Sequence, residues 1–474
     1  MTRRWVLALP PVAGLVAVLA ATGKGLYVSP DGVFYVGTAR NMLDGHGLTP
    51  PPGLPPVDHF PPLFTWLLAG VGWLGLDPLD AARLVNALAL AAIVLLVGAV
   101  VHVRTGSVPA GVVASVLTAA ARDLLTFSGS ALSEPVFLLL ALGGLVALAA
   151  HLDRPRPVLL AAATALAAAA FLTRYVGVAV VVVAVGALVW RRRRGEAAVF
   201  GAFAVVPVLA WLAWAGGGDR PLVWHPPGWD YLGQAARPVS RWILPWPGPP
   251  AGLVLAAVLV VAGVVLARRR PVAREASTLT VLLVAFAAAY LAAVVANRVL
   301  ADATGRLDAR FLLPVHVVAI LVVVPVLWRR RLHAVAGVLL VAQVAGAAAW
   351  TAGGLTDDSI DRRGYTAAAW ERSAILARLA AADERVYTNG FDAVFLHTGR
   401  ATVPIPAEQD YLTGRANPRF TEELAAMRAG GGLVAYFDAL TFRRAFLPSR
   451  DELEAALPLE VVLHDEVGTL YRLR

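Results

Sequence analysis

Residues 310–331 read RFLLPVHVVAILVVVPVLWRRR. The eighteen residues 311–328 contain no Asp, Glu, Lys or Arg. At about 1.5 Å of rise per helical residue they reach across most of a bilayer's roughly 30 Å hydrocarbon core. One arginine precedes the run and Arg329-Arg330-Arg331 ends it, so the segment reads as a membrane helix with a strongly basic end.

That reading extends to the rest of the chain. With 474 residues, 58% of them hydrophobic and 15% charged, and a mean hydropathy of +0.68, the chain carries more apolar surface than one soluble core can bury. Similar apolar runs occupy about 5–22, 81–101, 107–121, 131–151, 157–173, 175–190, 197–215, 251–267, 277–297 and 332–350, which makes eleven spans in all. A shorter piece at 62–76, interrupted by Gly70, Gly72 and Gly75, reads as an interfacial or re-entrant helix. Residues 5–22 resemble a signal peptide behind Arg3 and Arg4, but no clean small-residue cleavage site follows, so an uncleaved first helix is expected.

The net charge of +9 rests on arginine, Lys24 being the only lysine. Nucleic acid is excluded as a partner by where the arginines sit. They occupy alternate short connectors: Arg3-Arg4, Arg104, Arg154 and Arg156, Arg191 to Arg194, Arg268 to Arg270 with Arg274, and Arg329 to Arg331. Only Asp153, Glu196 and Glu275 oppose them. These six places are expected on the cytoplasmic side of a bacterial plasma membrane, with membrane lipids as partners, the amino terminus inside and the carboxyl terminus outside. The absence of cysteine excludes disulfides, thiolate metal sites and cysteine nucleophiles.

From about residue 355 the composition becomes that of a water-soluble α/β module. The expected organisation is an all-α polytopic membrane domain over 1–354 and a small extracytoplasmic α/β domain over 355–474. In the second part, 365–381 reads as a helix. Val386-Tyr387, Leu433 to Phe437 and Val461 to Leu463 read as strands, and Leu470-Tyr471-Arg472 closes a hairpin at Gly468. Gly430-Gly431-Gly432 reads as a turn rather than a phosphate cradle.

The polar residues that stand out share the outer side. The first outer loop, 23–80, is far longer than a helix connection requires. In Ser29-Pro30-Asp31-Gly32-Val33-Phe34-Tyr35, Ser29 suits an N-cap and Pro30 a first helical position, which predicts a helix over 31–44 stopped by Gly45 or Gly47. Asp31, Tyr35 and Thr38 then lie on one face. Asp31 is either a complement to the helix dipole or a catalytic carboxylate. Downstream, Asp58-His59-Phe60-Pro61-Pro62 offers His59 as a phosphate or metal contact or as half of a surface pair. Ser133-Glu134-Pro135 is cap-like, yet it brings Glu134 into a membrane helix near the face of Asp31, where an ionisable group is costly and usually functional. Arg174, in a tight connection between two spans, and Arg310 share that face; the alternatives are interfacial snorkelling and contact with an anionic substrate.

These pieces, in this order, resemble the GT-C superfamily of membrane glycosyltransferases, in particular the branch of protein O-mannosyltransferases and lipid A aminoarabinose transferases. The resemblance runs over about residues 1–350. It is carried by Asp31 with Tyr35, His59-Phe60-Pro61-Pro62-Leu63, Ser133-Glu134-Pro135, Thr173-Arg174-Tyr175-Val176-Gly177 and Arg310-Phe311-Leu312-Leu313-Pro314. It implies a catalytic base in the first outer loop, here Asp31, and cations on a lipid phosphate, here Arg174 and Arg310; Tyr35, His59 and Glu134 are the further substrate-binding candidates. Where related transferases carry an acidic or basic residue just before the Pro-Pro pair, this chain has His59 and Phe60, which leaves metal use open. The implied reaction moves a sugar from a polyprenyl phosphate to a lipid, glycan or protein acceptor, and no cofactor is required by the sequence. Such a donor carries a good leaving group, so one base and phosphate-stabilising cations suffice, with inversion at the anomeric carbon. The rival class is a transporter or lipid flippase, for which internal repeats are the signature, and no second copy of the long first loop is present. A third is a receptor or assembly factor. Turnover of a lipid-linked sugar separates the three.

Overall fold

A computed structural model of the chain describes residues 4–216, 224–226, 228–243, 277–302, 305–411 and 413–474. Among them six helices are long and apolar enough to cross a membrane: Pro78–Thr105, Glu134–Asp153, Arg194–Ala215, Thr278–Leu300, Ala309–Arg329 and His333–Thr356. The expected span at 107–121 is instead Val108–Ala119, followed by a 57° bend into Arg122–Ser128. The break falls where Ala121 leaves the helical region, just before the charged pair Arg122-Asp123. Trp5–Ala21, Pro157–Thr173 and Tyr175–Trp190 are apolar helices shorter than a straight crossing, and the 62–76 piece is the ten-residue helix Leu63–Gly72. Of the eleven expected spans, the one at 251–267 lies outside the described residues, as does the Arg268 to Arg274 cluster.

Local signals explain the boundaries. Pro78–Thr105 starts where Asp77 Oδ1 accepts from the Leu79 amide at 2.8 Å and Pro78 fills the first turn. It ends at Gly106, whose φ of 67° lets its amide reach the His102 carbonyl. Ser107 then caps Val108–Ala119, and the two helices pack through small residues: a Cβ at Gly98 would lie 1.9 Å from Ser115 Oγ, and one at Gly111 2.7 Å from the Gly98 carbonyl.

Four of the arginine-rich connectors gather at one end of the bundle. Arg329 donates to the Arg104 carbonyl, Arg104 to Thr280, and Arg191 to Thr278, which in turn donates to Asp153. The long first loop is at the opposite end.

The C-terminal part carries a five-stranded sheet of β1 (Val386–Thr388), β2 (Val403–Pro404), β3 (Gly432–Tyr436), β4 (Leu459–His464) and β5 (Thr469–Leu473), in the order β2-β1-β3-β5-β4. β1 is parallel to β2 and β3, whereas β5 is antiparallel to β3 and β4. The strand segments and the hairpin read from the sequence are present; β2, only two residues long, had no alternation to reveal it. Gly430 to Gly432 ends helix Phe420–Gly430 and turns into β3, with φ of 58° at Gly431 and 114° at Gly432. The helix expected over 365–381 is two short ones, Ala368–Glu371 and Ala374–Ala380. Ser373 divides them, because its hydroxyl accepts from the Leu376 amide as an N-cap while donating to Asp465 at 2.7 Å.

One apolar core joins this part to the first loop: Phe34, Tyr35, Val36 and Phe64 pack in the same cluster as Trp370, Ile375, Phe437 and Leu470. Backbone pairing fixes the loop's start. Tyr27 bridges to Ser130 and Val28 to Gly364, and the buried Arg363 donates to the Gly25 and Gly354 carbonyls. The helix bearing Asp31 is therefore held between the bundle and the sheet.

Candidate functional site

The paired segment 27–28 delivers the chain into helix Pro30–Leu43, with Pro30 at its start and Asp31 in its first turn. Ser29 occupies the N-cap position, but its side chain makes no capping bond. Thr38 is buried alongside Tyr35, so this face of the helix points into protein while Asp31, at its open end, stays partly exposed. Tyr35 sits in an aromatic cage, its ring 5.0 Å from those of Phe60 and Phe64, and its hydroxyl is 3.2 Å from Ser133 Oγ. Burial pushes the Tyr35 phenol well up, against the lowering effect of Arg174, so it remains protonated at physiological pH.

Ser133 stands at the N-cap of helix Glu134–Asp153 without capping it. Its hydroxyl serves Tyr35 and Arg174 instead, the latter donating to it at 3.3 Å. Glu134 is 4% exposed and accepts two cations on one oxygen: Arg174 Nη1 at 2.5 Å and Arg310 Nε in a tighter contact. Arg310 also reaches the other carboxylate, with Nη1 at 2.7 Å from Asp31 Oδ2. The chain Arg174–Glu134–Arg310–Asp31 thus holds two positive and two negative charges in continuous contact.

Each member has a local reason to be there. Arg174 is extended between helix Pro157–Thr173 and the turn Tyr175–Gly177. That turn folds so tightly onto the helix that a Cβ at Gly177 would lie 2.7 Å from the Ala170 backbone, which makes glycine a requirement there. The Tyr175 hydroxyl donates to the Asp58 carbonyl at 2.7 Å and accepts from Trp211 Nε1 at 3.2 Å, tying the Asp58-His59 turn to the Arg174 turn. Arg310 begins helix Ala309–Arg329, capped by Asp308, whose Oδ1 accepts from the Arg310 amide at 2.9 Å.

Above this chain of charges lies a cavity of about 540 Å³. Asp31, Tyr35, His59, Arg174 and Arg310 all line it, and Glu134 stands behind the two arginines. All six residues singled out in the sequence therefore meet at one place. His59 is edge-on to Phe60 at 4.5 Å. Among the described residues, no group of three or more His, Asp or Glu side chains is placed to hold a metal ion.

Other lining residues had not been singled out: Tyr231, Asn297, Arg298, Asp302 and Tyr411. Arg298 lies 5.8 Å over the Tyr231 ring. Asn297 and Arg298 end an apolar span at the end away from the arginine-rich connectors, a signal that was readable by the same logic as Arg174. Tyr411 had no such signal, because only tertiary folding brings the C-terminal part to the cavity.

No protein-family model matches the chain, and no curated protein matches it in sequence. Solved structures do resemble it in shape. ArnT from Cupriavidus metallidurans in the apo state superposes with a TM-score of 0.53 at 16% identity, over 98% of this chain and 97% of that one. The same protein bound to undecaprenyl phosphate gives 0.53 at 15%, over 100% and 98%. The Archaeoglobus fulgidus oligosaccharyltransferase in complex with zinc and sulfate gives 0.53 at 13%, over 97% of this chain and 72% of that one. At these identities the likeness is one of fold: the chain shares its overall architecture with these proteins along nearly its whole length, and it is an integral membrane protein.

Proposed function

We propose that this protein is an inverting glycosyltransferase of the outer membrane face, moving a sugar from a polyprenyl phosphate to an extracytoplasmic acceptor with Asp31 as general base. The observation that carries the reading is the convergence of an accessible carboxylate, Asp31, with Arg310 and Arg174 in one cavity at the ends of membrane helices. That one structural neighbour binds undecaprenyl phosphate adds support.

In this reading the reaction has an order. The Arg310 guanidinium engages Asp31 at 2.7 Å. An arriving phosphate, with more charge than one carboxylate oxygen, competes for Arg310 and frees Asp31 to accept the proton of an acceptor hydroxyl. That hydroxyl attacks the anomeric carbon from the side opposite the phosphate, the C–O bond to phosphate breaks, and polyprenyl phosphate leaves with its charge on the arginines. Residues 1–354 form the transferase domain in this scheme and 355–474 its extracytoplasmic partner. Purified protein should release polyprenyl phosphate from a lipid-linked sugar and ignore nucleotide sugars; transfer from a nucleotide sugar overturns the donor assignment. The sugar and acceptor are identified by comparing cell-envelope glycans with and without the gene by mass spectrometry.

Two further results are expected. Arg174→Lys keeps the charge beside Glu134 but loses the planar fork, so it should retain roughly tenfold more turnover than Arg174→Ala, which leaves Glu134 one cation short. Equal activity of the two variants removes the guanidinium from the donor site. For sidedness, the chain has no native cysteine, so a single introduced one is the only thiol to label. With the arginine-rich end cytoplasmic, Ala416→Cys should react with an impermeant thiol reagent in intact cells and Arg194→Cys should not, both positions being exposed. The reverse pattern inverts the topology.

A further inference from the structure

Among the described residues lining the cavity, all but one lie between Asp31 and Phe311; the exception is Tyr411, from the sheet domain. It sits on a turn after β2 whose flanking described residues are held by hydrogen bonds. Gln409 pairs with Ala416, the Asp410 amide donates to the Arg415 carbonyl at 2.8 Å, and Asp410 Oδ1 accepts from both the amide and the hydroxyl of Thr413. Gly414, at φ of 65°, donates to the Asp410 carbonyl. The base of the turn is anchored too: the Glu408 amide donates to the Phe446 carbonyl at 2.9 Å, and Asn417 Nδ2 donates to the Ala407 carbonyl and to Glu423. The Tyr411 ring packs at 5.8 Å against Phe446 and still keeps 39% of its surface exposed. A braced turn thus presents an aromatic ring to a cavity whose lining also carries the polar side chains of Asn297, Asp302 and Arg306.

We propose that Tyr411 is the platform for the transferred sugar, which makes the sheet domain a specificity element of the active site; the proposal rests on the cavity being the donor site. A pyranose or furanose carries hydroxyl groups round its rim and C–H bonds on its faces. The electron-rich face of an aromatic ring attracts those C–H bonds, and polar side chains round it satisfy the hydroxyls. A phosphate or an alkyl chain alone gains nothing from this pairing of ring and polar wall. The ring is held before the ligand arrives, so little side-chain freedom is lost on binding.

The test compares full-length wild type, Tyr411→Ala and Tyr411→Phe with three probes: a short-chain polyprenyl-phosphate hexose, its pentose counterpart and bare polyprenyl phosphate. Wild type should bind at least one sugar-bearing lipid more tightly than the bare one. Tyr411→Ala should lose that preference, with KM for the sugar lipid rising roughly tenfold, bare-lipid affinity unchanged and kcat little altered. Tyr411→Phe should keep the preference, since the ring and not the hydroxyl carries it. Undiminished preference in Tyr411→Ala overturns the proposal. So does an equal loss of bare-lipid binding, which marks a merely structural residue, and so does a wild type that does not discriminate. Failure of the transferase reading is seen separately, as no release of polyprenyl phosphate by wild type.

Discussion

Asp31→Asn should leave the protein folded and able to bind a lipid-linked donor while lowering turnover by roughly 10²-fold or more, the usual contribution of a general base. The substitution is nearly isosteric, and the side chain it alters is 30% exposed at the end of a helix held by backbone pairing and an aromatic cage. Arg310 loses one partner but keeps Glu134. If Asp31 only complemented the helix dipole, Asn would serve almost as well at that position and activity would survive. Turnover measured against donor binding separates the two roles: unchanged affinity with collapsed kcat supports the base, and near-wild-type kcat reduces Asp31 to a helix-terminus residue.

The parts of this protein that were legible in the sequence are those governed by one-dimensional rules. Runs of apolar residues with charged ends mark helices because hydrocarbon forbids unpaired backbone. The alternation of arginine-rich connectors sorts the loops into two sets, and the hydrogen bonds among Arg329, Arg104 and Arg191 and their partners gather four connectors of one set at one end. That sorting drew attention to Asp31, Glu134, Arg174 and Arg310 before any contact between them was known. What stayed hidden depends on who meets whom. Ser29 and Ser133 both read as caps, yet neither side chain caps; Ser133 is used across helices by Tyr35 and Arg174. Ser373, inside an apparently continuous helical pattern, splits it by capping the second half and binding Asp465, a partner 92 residues away. The fusion of the first loop and the sheet into one core carries no periodic signal at all, and with it the arrival of Tyr411 at the cavity.

Glu134→Gln should destabilise the protein by about 3–5 kcal/mol, in sharp contrast to Asp31→Asn, although both remove one negative charge from the same chain of four. Burial makes the difference. Asp31 borders a cavity through which water can solvate what remains, whereas Glu134 is 4% exposed and neutralises two guanidinium groups at once, Arg174 at 13% and Arg310 at 22% exposure. A glutamine there can keep its carbonyl oxygen on both arginines, because both bind one carboxylate oxygen, but it carries no negative charge to set against them. Two positive charges are then left facing each other at the edge of a low-dielectric bundle, with Asp31 alone to balance them. Thermal unfolding of purified protein in detergent measures the loss, and Glu134→Asp, which keeps the charge on a shorter arm, should recover part of it. Equal stability of Glu134→Gln and Asp31→Asn would mean that water reaches Glu134 as freely as Asp31, and that the cavity extends beneath the arginines to the floor of the site.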